Sequence, residues 1–103
     1  MPNEPRDARD AAMRASDPGR LLPGENPDST HPDDAEHWIA VYGELLAYKD
    51  RLLAVTQATL SQMPEEPARR EVAETDRALI TVERERFARR LGFWSRRLAE
   101  LKP

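Results

Sequence analysis

The sequence predicts an all-α protein: an antiparallel two-helix hairpin of coiled-coil character that follows a disordered N-terminal tail and pairs into a four-helix bundle. Three observations carry this. Apolar residues recur every seven positions between Trp38 and Leu60, a proline-rich break falls at Met63-Pro-Glu-Glu-Pro67, and a second apolar stripe runs from Phe87 to Leu101. The predicted organisation is a tail over 1–33 and a hairpin over 34–102, with helices at 34–63 and 67–101 joined by a turn at 63–67.

The first helix is expected from three parallel rows. Ile39, Leu46, Leu53 and Leu60 form one, Trp38, Leu45 and Leu52 a second, and Val41, Tyr48 and Val55 a third. With Tyr42 and Met63 between them, the rows cover an arc of roughly 160° at about 100° per residue. So wide an arc exceeds the seam of a two-stranded coiled coil and calls for more than one neighbouring helix, hence the bundle. Its start is marked by Pro32, suited to a first helical turn, and by Asp33 with Glu36 three residues on, the spacing of a capping box.

Pro64 and Pro67 fit a loop or a first turn and no helix interior, which sets the break. Beyond it, Val72, Leu79, Ile80 and Val82 open the second helix, and Phe87, Leu91, Trp94, Leu98 and Leu101 continue it in steps of four and three. The two helices match in length, and with the turn near 65 the facing residue numbers add to about 130. That register sets Asp33, Asp34 and Glu36 opposite Arg96 and Arg97, places Asp50 near Arg77 and Arg84, and gathers Trp38 and Trp94 at the open end. Gly43 and Gly92 interrupt good helix formers, which leaves open close approach of another helix, a kink near Gly92, or glycines tolerated without either.

Residues 1–33 hold six prolines and two glycines, with Leu21-Leu22 as their sizeable aliphatic cluster. Such a stretch offers too little apolar surface to offset its ordering entropy, so it reads as a disordered acidic tail; Gly19-Arg-Leu-Leu-Pro-Gly24 within it could serve as a short docking motif. Charge is polarised along the chain. Residues 1–34 carry four Arg against eight Asp or Glu, whereas Arg84–Pro103 carries seven basic residues against two acidic ones.

No cysteine is present, which removes disulfides, thiolate metal sites and cysteine nucleophiles from consideration. No signal-like apolar run opens the chain and nowhere do 18 apolar residues follow one another, so a soluble, cytoplasmic protein without membrane contact is expected. Fourteen Arg against two Lys, with fourteen Ala, suggests the codon bias of a GC-rich bacterial genome. His31, Asp33, Asp34 and His37 are close in sequence, but no spaced histidine pair or second ligand helix completes a metal site. The four serines lack a nucleophile elbow and no glycine loop could cradle phosphate, so neither an enzyme nor a cofactor is expected.

Function is therefore expected from surfaces. The first expectation is a non-catalytic helical interaction or adaptor protein acting through protein–protein contacts with itself or another protein, as a homo-oligomer, with Trp38, Tyr42, Phe87, Leu91 and Trp94 as aromatic and leucine anchors. The alternative is a nucleic-acid-associated regulator that grips phosphates with Arg86, Arg89, Arg90, Arg96 and Arg97 and stacks Phe93 on a base. Pairing with the acidic start of the first helix explains Arg96 and Arg97, so the partner-binding candidates narrow to Arg86, Arg89, Arg90 and Phe93 beside the apolar anchors.

Overall fold

Proline sets the ends of the two long helices. The structure, a computed structural model, describes residues 10, 13, 14, 17, 19–63 and 65–103. Its two long helices are α1 (Pro32–Gln62) and α2 (Pro67–Leu101), and among the described residues there is no strand. His31, Met63 and Glu66 each precede a proline and sit in extended backbone, at φ −94, −73 and −105°. Lys102, before Pro103, is likewise non-helical. A residue ahead of proline is excluded from helical backbone by the pyrrolidine ring, so these four steps stop or start the helices where they do.

α1 begins at Pro32, within the expected start near Pro32 to Asp34, but the capping box of Asp33 and Glu36 does not form. His31 is the cap residue and makes no side-chain cap bond. Ser29 organises the start instead: its hydroxyl accepts from the His31 amide at 3.2 Å and donates to Asp34 at 2.5 Å.

The helices pair antiparallel along their length, and the molecule is 54 Å long and 15 Å thick. Lys49 meets Glu83 at 2.8 Å, Asp50 pairs with Arg84, and Glu36 pairs with Lys102 at 2.6 Å. The core lies toward the open end. Ala35, Tyr42, Phe87 and Trp94 form its buried centre, with Trp38, Ile39, Leu45, Leu46 and Leu91 among the residues packed around it. Trp38 and Trp94 are thus gathered there, as the register predicts.

Toward the turn the hairpin is thin. Leu60 is buried, but Val55 and Val72 are 64% and 63% exposed, and Tyr48 and Leu79 also reach solvent. Two helices alone have one contact face each, so Tyr48 and Val55 of α1's third apolar row stay outside it while Val41 is half-buried. α2 runs unbroken through Gly92. A methyl at Gly43 would meet nothing within 4 Å, and one at Gly92 meets the flexible end of Arg96. Neither glycine marks a close helix approach or a kink.

The tail expectation is corrected in part. Residues 1–9, most of 10–18, and Pro64 lie outside the described residues. Residues 20–31, expected to be disordered, form a strap laid across the open end of the hairpin, with Leu22 against the core and Glu25 and Ser29 buried. Polar bonds, more than apolar area, hold it, which is why its composition does not reveal it.

Candidate functional site

Two turns shape the strap. Leu22-Pro23-Gly24-Glu25 closes through the Glu25 amide donating to the Leu22 carbonyl at 3.0 Å, with Gly24 at φ +84°. Proline at the second position and a positive φ at the third make this a type II turn, where glycine is the unstrained residue. In the next turn, Ser29 N–H donates to the Asn26 carbonyl at 3.1 Å, and the Asn26 side chain accepts from the Asp28 amide at 3.0 Å.

The first turn aims Glu25 into the hairpin, where its side chain is fully buried. One carboxylate oxygen accepts from the Leu22 amide at 2.9 Å and from the Tyr42 hydroxyl. The other accepts from Trp94 Nε1 at 2.8 Å and from Arg90 Nε and Nη2 at 3.1 and 2.6 Å. Burial alone would raise the Glu25 pKa, but the bonds from Tyr42, Leu22, Trp94 and Arg90 outweigh it and hold the carboxyl below its ordinary range. Tyr42 moves the other way: burial, then the Glu25 hydrogen bond and charge, push its hydroxyl up to about 12.

Arg90, Trp94 and Arg97 stand about one turn apart on α2 and form a stripe under the strap. Arg97 donates from Nε and Nη2 to the Ser29 carbonyl at 3.3 and 3.1 Å. This corrects the expectation that the acidic start of α1 faces Arg96 and Arg97. The strap lies between them, Asp34 takes Ser29, Glu36 takes Lys102, and Arg96 is exposed.

One turn before Arg90, Arg86 continues the stripe. It is 2% exposed, its guanidinium lies 4.7 Å from the Phe87 ring centroid, and its Nε and Nη1 have no hydrogen-bond partner among the described residues. Burial, then the like charge of Arg20, lowers its pKa, against the opposing influence of Tyr42, Glu83 and Glu25.

The residues singled out by sequence converge, but inward. Tyr42, Arg86, Phe87 and Trp94 are buried, and Trp38, Arg90, Leu91 and Phe93 are half-buried; within that set Arg89 alone is exposed. Arg90 stacks over Phe93 at 4.4 Å while it holds Glu25. The face expected to grip phosphates is thus largely engaged within the chain. Glu25 and Ser29 were not singled out by sequence; the signals that could have found them are the Pro-Gly and Asn-Pro-Asp turn signatures just before each.

Among the described residues no group of three or more His, Asp or Glu could hold a metal ion, and His37 stands edge-on to Trp38 at 4.8 Å. No described helix is long and apolar enough to cross a membrane. No family model, curated protein or solved structure matches the chain.

Proposed function

We propose that the chain is a non-catalytic helical interaction module that works by protein–protein contact, and that its first contact is with a second copy of itself through the outer row of α1. The observation that carries this is the uncovered row. Tyr48 and Val55 are 50% and 64% exposed, and a shallow groove beside them is lined by Val41, Glu44, Leu45, Ala47, Tyr48 and Arg51. Large apolar side chains in a continuous row mark contact surfaces more often than isolated ones do.

The row is self-complementary. A two-fold axis beside Tyr48, with the two α1 helices antiparallel, sets Val41 of each copy against Val55 of the other, tyrosine against tyrosine, and each Glu44 near the other copy's Arg51. Two hairpins joined in this way make the second layer that a single hairpin 15 Å thick lacks, a four-helix bundle. The nucleic-acid alternative retains Arg89 and Arg96 as exposed cations on its face of α2. Burial of Arg86 and the pairing of Arg90 with Glu25 weigh against it.

Sedimentation of the full chain over a concentration series tests the reading. Wild type is expected to sediment as a dimer, and Tyr48→Glu as a folded monomer, since like charges would meet at the axis. A wild-type monomer at every concentration overturns it.

A further inference from the structure

The stripe under the strap presents more donors than the strap satisfies. From Ser29 at Arg97 to Glu25 at Arg90 and Trp94, the strap runs toward the N-terminal end of α2, and Arg20, five residues before Glu25, acts on Arg86 as a like charge. There the sequence supplies Arg20, a cation, where a buried guanidinium with two unpartnered N–H groups calls for an acid. Leaving such groups without an acceptor is costly, so a residue of opposite charge at that place would be favoured.

We propose that the Arg86–Arg90–Trp94–Arg97 stripe is a docking groove for an acidic peptide of another protein, and that residues 20–31 close it in cis. The ligand it fits carries two carboxylates spaced as Arg20 and Glu25 are in the strap, one for Arg90 and Trp94 and the second for Arg86. Glu25 fills half of the groove and mimics the ligand. The strap can be displaced because its anchors are three residues: Leu22, Glu25, and Ser29 through its carbonyl to Arg97 and its hydroxyl to Asp34. This surface lies apart from the outer row of α1. It rests on the interaction-module reading only in that another protein supplies the ligand.

The test uses two labelled peptides, Gly19–His31 in its native sequence and the same peptide with Arg20→Glu, titrated by fluorescence anisotropy against the full chain. In the full-length Glu25→Gln variant the groove loses its own carboxylate. The Arg20→Glu peptide should bind it at least about tenfold more tightly than the native peptide, the effect of one added charge-assisted bond pair. Adding Arg86→Met should abolish that difference. Equal binding of the two peptides by a Glu25→Gln chain that keeps its helical circular dichroism, or binding of neither, overturns the proposal. If Glu25→Gln loses its helical signal, Arg20→Glu in the full chain decides. A higher melting temperature supports an acid-seeking Arg86, and an unchanged or lower one overturns it. Sedimentation of the same samples reports self-association separately, so failure of the groove and failure of the dimer are distinguishable.

Discussion

Replacing Glu25 by Gln should release the strap while leaving the hairpin helical. The buried carboxylate collects five donor contacts, from the Leu22 amide, the Tyr42 hydroxyl, Trp94 Nε1 and two nitrogens of Arg90. Glutamine keeps the shape and one acceptor oxygen, so the contacts with Leu22 and Tyr42 can persist. At the second oxygen an amide NH2 meets Trp94 and Arg90, donor against donor. Breaking a buried ion pair by removing one partner costs about 3–5 kcal/mol. The Arg90 side chain is 12% exposed and remains stacked on Phe93, so the lower end applies, about 3 kcal/mol. At 1.4 kcal/mol per factor of ten, amide exchange in the strap should accelerate by about a hundredfold. The reporter is the Glu25-position amide, bonded to the Leu22 carbonyl, followed by native-state hydrogen exchange alongside amides of α1 and α2. A rise of less than about threefold there would refute the assignment of Glu25 as the strap's anchor.

Other perturbations act on the same elements. Gly24→Ala places a Cβ at φ +84° and should destabilise the strap by about 1 kcal/mol, read as faster exchange at the same amide. Gly43→Ala has open space around the new methyl and should stabilise the hairpin by about 0.5–1 kcal/mol in a urea melt. Strap docking should depend on pH at both extremes. Because the folded Glu25 pKa lies below its ordinary 4.5, its contribution is complete above that value and is lost as pH falls through the folded pKa. Because Tyr42 is raised from 10.0 to about 12, its contribution is complete below pH 10 and is lost as pH rises from 10 to 12. Melting temperatures against pH, compared with Tyr42→Phe, check both windows; the alkaline loss should vanish in that variant.

The hairpin was legible because its determinants are local. Proline fixes the helix ends, and seven-residue rows from Trp38 to Leu60 announce α1 and the width of its apolar arc. The register carried far enough to place Asp50 beside Arg84 and the tryptophans together. Glu25 was not legible. Its partners Tyr42, Arg90 and Trp94 are 17, 65 and 69 residues away, and no periodicity links a carboxylate in a proline-rich segment to them. Composition speaks against folding of residues 1–33 through their small apolar area, whereas the strap is held by charge-assisted hydrogen bonds. The arginine face was recognised as a pattern and misplaced in exposure. Arg90 belongs to the interior because Glu25 of the strap takes it, and Arg86 is buried against Phe87; the strap's own turn signatures, Pro23-Gly24 and Asn26-Pro27-Asp28, were the available clue.

The strap sits on α2 with Glu25 against Trp94. The indole N–H of Trp94, which donates to Glu25 at 2.8 Å, reports it directly in a proton NMR exchange measurement on the full chain. The docked strap predicts an indole proton shifted downfield and protected from solvent exchange, with both features lost in Glu25→Gln. A Trp94 indole that exchanges at the rate of free indole in the wild-type chain would contradict it.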